Sequence, residues 1–198
     1  MSEQKKFELK QAKLENAELK DLAMPDAQFE NIWMSGAKFS DINMSGAAFT
    51  DINLSNASYR GLNMTGVTFE CVEMNGAHLG YCEKCRQAGA YCVQMKNALL
   101  SGVDLTEATF HHCGMEKAVL TDLRLVNAKL YDVDLDDSEL SGVNMVRARI
   151  QCSNLYGATV KNCCFENAAL ENCDIEGMTI DGVNVAEAIK AWKAAQKV

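Results

Sequence analysis

Residues 37–49 read AKFSDINMSGAAF and residues 50–59 read TDINLSNASY. Large apolar side chains recur at every fifth position: Phe39, Met44, Phe49, Leu54 and Tyr59. The register runs back through Met34, Phe29, Met24, Leu19 and Leu14 to Leu9, and forward through Met64, Phe69 and Met74 to Leu79. Two residues before each stands a second apolar residue, alternately Ala and something larger: Ala37, Ile42, Ala47, Ile52, Ala57, Leu62. The other three positions are mostly Ser, Thr, Asn, Asp, Gly or a charge. A repeat of this kind decides the architecture before any local propensity does.

A helix cannot use period five. Five residues advance about 500° at about 100° per residue, so the apolar positions would spread around the cylinder instead of forming a stripe. A long strand fails as well, because five breaks the alternation of period two. A mixture works. Apolar, polar, apolar is a three-residue strand with both ends facing in, and two small polar residues then turn the corner. Four such sides close a square coil of about twenty residues. Coils stack through backbone hydrogen bonds about 4.8 Å apart. The alternation of the minor inward position predicts that opposite sides look alike and adjacent sides differ.

The stretches SGAAFTDINLSNASY (45–59) and LSGVDLTEATF (100–110) resemble the pentapeptide-repeat family, whose consensus is close to A-[D/N]-L-x-x. The resemblance covers nearly all of residues 7–185. It implies an all-β, right-handed quadrilateral β-helix, and it assigns no function, since most members have none.

The first register holds from Leu9 to Leu79 and a second from Met95 every five residues to Val185. Leu79 and Met95 are sixteen residues apart, not fifteen. Extended back through Ala90 and Cys85, the second register places a one-residue slip near 80–82, where Gly80 permits unusual backbone. The expected organisation is a tail (1–6), one solenoid (7–185, sub-blocks 7–79 and 83–185) and a short C-terminal helix (186–198). About nine coils would make a column about 43 Å long. In the closing stretch NVAEAIKAWKAAQKV, good helix formers dominate. Ile189 and Trp192 share a face there and are expected to cover the last coil or to join two copies. No N-terminal cap is evident.

The chain has 198 residues and a net charge of −8, from 27 acidic and 19 basic residues. A nucleic-acid binder would be basic, so no direct contact with nucleic acid is expected. No apolar stretch is long enough for a membrane helix, and MSEQKKFELK lacks a secretory apolar segment, which points to the cytoplasm. Nine Cys, an odd count, argue against a disulfide framework. Cys113, Cys163 and Cys173 take inward positions, as do eight of the ten Met, and read as core.

Catalytic signals are absent from the sequence. Cys82-Glu83-Lys84-Cys85, with Cys92 nearby, has the spacing of half a zinc site, but structural zinc wants four ligands and no second pair exists. Structural cysteines are the preferred reading, with zinc and redox roles as alternatives. His111 and His112 fall at outward or corner positions and are expected in solvent. No Ser/His/Asp arrangement or phosphate-binding loop occurs, and a filled convex column lacks a catalytic cleft. A non-enzyme without cofactor or metal is therefore expected, acting through its surface.

Side chains twenty residues apart stack on one side. The positions flanking Met115, Leu135, Leu155 and Ile175 bring Glu116, Asp134, Asp136, Asp174 and Glu176 together without Lys or Arg, with Asp137 at the corner. The stripe has two readings, a solvated face or a contact surface for a basic partner. Quinolone-resistance members of the family resemble a rod of duplex DNA and bind type II topoisomerases in its place. The resemblance therefore implies DNA gyrase or topoisomerase IV as one class of protein partner, inside the larger class of interaction scaffolds. It also implies a homodimer joined at the C-terminal coils. Two further surface features are an outward Val126–Val146 pair and an outward Trp33.

Overall fold

The computed structural model describes residues 7–80 and 93–196, and in it the chain winds into a right-handed four-sided β-solenoid of about eight coils with one C-terminal helix. Met44, Phe49, Leu54 and Tyr59 lie on four successive sides, and all are buried. We number the sides by their central residues: face I carries Leu9, Phe29 and Phe49, face II Leu14, Met34 and Leu54, face III Leu19, Phe39 and Tyr59, and face IV Met24, Met44 and Met64.

Faces I and III are parallel ladders of short strands, in which each residue pairs with the one twenty positions on, as Phe29 with Phe49 and Phe39 with Tyr59. Faces II and IV are held mainly by single bridges, such as Lys13 to Trp33 and Ala23 to Asn43. Opposite sides are thus alike and adjacent sides differ, as the ten-residue alternation requires.

The corners explain that alternation. After a centre on face II or IV the chain closes a hydrogen-bonded turn: Ala37 N–H donates to the Met34 carbonyl (3.1 Å) and Ala57 N–H to the Leu54 carbonyl (3.0 Å). The third turn residue has positive φ, 69° at Gly36 and 58° at Asn56, the type II arrangement. The fourth must turn its Cβ into the corner of the square, and Ala fits there, fully buried. After faces I and III the corner is a single left-handed residue such as Asp41 or Asp51, and the next inward position takes Ile, Leu or Val in most coils, while Cys113, Ser153, Cys163 and Cys173 also stand there. Asn, Asp and Gly recur at the corners because they tolerate φ > 0 best.

The core is filled. Phe29, Phe49 and Phe69 stack at 4.6 and 4.9 Å between ring centroids, and Phe39 stacks on Tyr59 at 5.0 Å. The void among the central side chains of coils 5 to 7 is about 20 Å³, room for about one water molecule.

The interruption differs from expectation. Leu62 pairs with Val93, Phe69 with Leu100 and Leu79 with Phe110, so partners are 31 residues apart where every other coil takes 20. The chain between Gly80 and Val93 therefore holds eleven residues more than a coil needs. A slip of one residue and an excess of eleven give the same register modulo five, and the pattern cannot separate them. The proposed slip itself, and the register of Cys85 and Ala90, fall outside the described residues. With those eleven residues not counted toward coils, eight coils span about 38 Å rather than 43 Å.

The C-terminal end also differs. After Ile180, Asp181 and Gly182 turn the chain at positive φ, and Val183–Asn184 runs antiparallel against Thr179–Ile180. The edge of face I is thereby paired. Helix α1 (Val185–Ala195) follows, capped by Asn184, whose Oδ1 accepts from Glu187 N–H at 2.9 Å. It buries no residue, and Trp192 is 61% exposed. The helix therefore does not cover the last coil, where Phe165, Leu170 and Ile175 remain half-buried.

Candidate functional site

The fold turns one sequence into four surfaces of different chemistry. On face IV the outward row before each centre runs Gly114, Asp134, Asn154 and Asp174, bridged coil to coil. The row after each centre runs Glu116, Asp136, Tyr156 and Glu176. Stacking therefore brings Glu116, Asp134, Asp136, Asp174 and Glu176 onto one side, with Asp137 at the corner.

Two of these carboxylates also serve the backbone. Asp136 N–H donates to Asp134 Oδ1 at 3.1 Å, and Glu176 N–H to Asp174 Oδ1 at 3.0 Å. Asn53, Asn63 and Asn154 make the same bond at equivalent positions on faces II and IV. The position demands an oxygen acceptor, which Asn supplies as well as Asp. The charge of Asp134 and Asp174 is therefore additional to the turn requirement. The corner Asp137, with φ of 52°, likewise fits backbone geometry. Glu116, Asp136 and Glu176 are the acids whose identity no turn explains.

The stripe is not free of cations. Lys117 Nζ lies 4.0 Å from Asp137 Oδ2, an exposed pair of little energetic weight. His111 and His112 are not fully solvated. His112, its side chain 14% exposed, has Nδ1 2.7 Å from Asp132 Oδ2 one coil on, and His111 stacks on Tyr131 at 4.9 Å.

Cys82, Cys85 and Cys92 lie outside the described residues. Among the described residues no group of three or more His, Cys, Asp or Glu is arranged to hold a metal. Cys113 is buried, its Sγ 3.3 Å from the Leu79 carbonyl oxygen. Cys163 and Cys173 are half-buried near the C-terminal end, and burial raises the Cys163 thiol pKa.

Ile189 and Trp192 are brought together at that end. With Ile180, Val183, Val185 and Ala188 they line a groove of about 550 Å³. Val126 and Val146 are half-buried, and Trp33 is 54% exposed on face II. No helix among the described residues is long and apolar enough to cross a membrane.

Counting by twenty gives face III only as a mixed side, with Lys129, Arg149, His111 and Glu171. The continuation of its cations below coil 5 depends on the 31-residue offset.

A closed four-sided column with a filled core and chemistry sorted by face defines a repeat solenoid. Residues 42–80, 93–122, 128–167 and 138–177 match the model of pentapeptide repeats, in eight copies, and the chain belongs to that family. The matched stretches omit 81–92, the segment holding the eleven-residue excess. Among solved structures, two trypsin-treated variants of QnrB1, a plasmid-mediated fluoroquinolone resistance protein, share the fold. One variant has TM-score 0.59 at 18% identity over 94% of this chain and 96% of that one. The other has TM-score 0.54 at 17% identity over 94% and 97%. HetL, a pentapeptide repeat protein involved in heterocyst differentiation regulation in the cyanobacterium Nostoc, gives TM-score 0.38 at 16% identity over 87% and 90%. No curated protein matches.

Proposed function

We propose that this protein is a non-enzymatic interaction rod that acts in the cytoplasm by presenting a charged face to a basic protein partner. The supporting observation is the acid of face IV that turn chemistry does not require: Glu116, Asp136 and Glu176 occupy one outward row, with Asp134 and Asp174 in the row beside it. Repeating carboxylates on a rigid column complement a basic groove, and long-range attraction speeds encounter. Retention of a basic partner by immobilised protein tests this. Glu116→Gln, Asp136→Asn and Glu176→Gln together should weaken retention at least tenfold and leave the fold intact. Unchanged retention would return the stripe to a solvated surface.

The finer reading is modulation of DNA gyrase or topoisomerase IV, with protection from quinolones. It draws support from the acidic stripe on a rod and from the fold shared with QnrB1, a likeness that by itself carries fold alone. A supercoiling assay with purified gyrase, with and without a quinolone, separates it from the scaffold reading. An effect on supercoiling that the triple neutralisation abolishes supports it, and no effect at saturating protein removes it.

A homodimer joined at the C-terminal end belongs to the same proposal. The groove of Ile180, Val183, Ile189 and Trp192 and the half-buried Leu170 and Ile175 leave apolar surface at that end, which favours a second copy.

A further inference from the structure

Face III carries a row of cations that the acid stripe of face IV does not explain. In the N-terminal block the outward positions present Lys20, Lys38, Arg60 and His78, one per coil, all exposed. Beyond the interruption His111, Lys129 and Arg149 follow in coils 5 to 7, so that Lys38, His78, Lys129 and Arg149 stand in the row before the centres and Lys20, Arg60 and His111 in the row after them. From coil 2 to coil 7 the outward partners in these strands are Ser40, Ser58, Gly80, Thr109, Tyr131 and Gln151, with no carboxylate among them. Among the described residues, acids stand at the corners (Asp21, Asp41, Glu107, Asp132) and at the ends of the face (Glu15, Glu18, Glu166, Glu171). Lys38 reaches Glu18 at 2.7 Å and Lys20 lies 3.8 Å from Asp21, exposed contacts that hold a lysine weakly.

Two more observations point to the ligand. The lower half of the face forms a shallow trough of about 510 Å³, lined by Lys20, Lys38, Arg60 and His78, with Ser40 and Ser58 among them and one carboxylate, Glu18, at its end. In the upper half Tyr131 is 43% exposed, stacks on His111 at 4.9 Å and stands on the same strand as Lys129. A cationic track with exposed aromatic rings set into it is how proteins hold single strands without reading sequence: phosphates follow the cations and bases lie on the rings. An acidic peptide would use the cations and gain nothing from the stack.

We propose that face III binds a single-stranded nucleic acid along the column axis, with phosphates on Lys38, Arg60, Lys129 and Arg149 and a base on Tyr131. The track from coil 1 to coil 7 is about 29 Å long, enough for a short single-strand site at the lower end of the roughly 4–16 nucleotides such grooves cover. The net charge of −8 argues against nucleic acid only if charge is averaged over the molecule. Here it is sorted, with cations along face III and the densest acid on face IV of coils 5 to 8. The neighbouring acid makes binding modest and strongly salt-dependent.

Fluorescence anisotropy of a labelled twelve-nucleotide oligodeoxythymidylate against the full chain at low salt tests this. Expected is saturable binding whose logarithm falls with the logarithm of salt at a slope of about −3, for four phosphate contacts on a single strand. Lys129→Glu with Arg149→Glu should weaken it at least tenfold, and Tyr131→Ala roughly fivefold or more. Glu116→Gln with Glu176→Gln on face IV should leave it unchanged or tighten it. Three results overturn the proposal: no binding at low salt, equal binding of a duplex of the same length, or displacement by poly-glutamate as effective as by unlabelled oligonucleotide. The last would assign the face to acidic protein. Circular dichroism of each variant confirms that loss of binding is not loss of fold.

Discussion

The hydroxyl of Tyr59 lies inside the column with no hydrogen-bond partner among the described residues. Its ring is well placed, stacked on Phe39, so the side chain is kept for its aromatic body. Tyr59→Phe should therefore be neutral or stabilising by about 1 kcal/mol, since a buried unpartnered polar group is a cost. Burial also raises the Tyr59 pKa well above 10.0. Above pH 10 the unfolded chain ionises while the folded one holds the proton, so stability present below that pH is lost as pH rises. Urea titrations at neutral and at high pH should show this loss in the native protein and less of it in Tyr59→Phe. Asp174 carries two roles that a single substitution can separate. Asp174→Asn keeps the acceptor for Glu176 N–H and should change stability by less than about 0.5 kcal/mol, while Asp174→Ala removes it and should cost about 1 kcal/mol. Both remove the same charge. Equal stability of the two variants would show that the turn does not need the side chain.

Among the elements, the interrupted coil is the most informative. The column on both sides of Gly80–Val93 is continuous in its pairing, so the eleven excess residues are not needed to pair it. Deleting residues 82–92, with Tyr81→Asn to suit the left-handed corner, should yield a folded column with undiminished thermal stability. If residues 83–92 were repeats contributing to the core, as a one-residue slip implies, the deletion would lower Tm by many degrees. Gly80 marks the departure point. Its φ is +97°, and a Cβ there would collide with the His111 carbonyl oxygen. Gly80→Ala should destabilise by more than about 2 kcal/mol, because the contact is with backbone and cannot relax by a side-chain rotation. The short strands Glu8–Lys10 and Glu18–Lys20 of the first described coil carry a charge at each outward position, a feature that discourages further edge pairing.

At the scale of the molecule, the two ends differ. The C-terminal end has a paired edge on face I and a helix that leaves Trp192 exposed. Self-association there should depend on that surface. Light scattering at micromolar concentration is expected to give a dimer, and Trp192→Ala with Ile189→Ala should shift it towards monomer by at least tenfold in Kd. A monomer that associates only after truncation at Val185 would make the helix a blocking element instead. Between the ends the charge is sorted by face, so one rod can meet partners of opposite sign on adjacent sides. Neutralising acids on face IV should not weaken what face III binds, because the acid acts on those cations through space and opposes an anionic ligand.

The sequence by itself determined the repeat unit, the four sides and the inward residues, because period five on a twenty-residue coil fixes which side chains share the interior, whatever the surroundings. It also determined the acidic stripe of coils 5 to 8, since stacking there follows from counting by twenty. Three things only the tertiary structure decided. The size of the interruption is invisible modulo five, and the pairing of Leu79 with Phe110 was needed to see that eleven residues, not one, are in excess. The continuity of the face III cations follows from that offset, since Lys38 and Lys129 are aligned only once it is known. The fate of the C-terminal helix rests on the turn at Asp181–Gly182, which aims the chain back along face I before the helix begins. Apolar residues at helical spacing show that Ile189 and Trp192 share a face, but not where that face lies relative to the last coil.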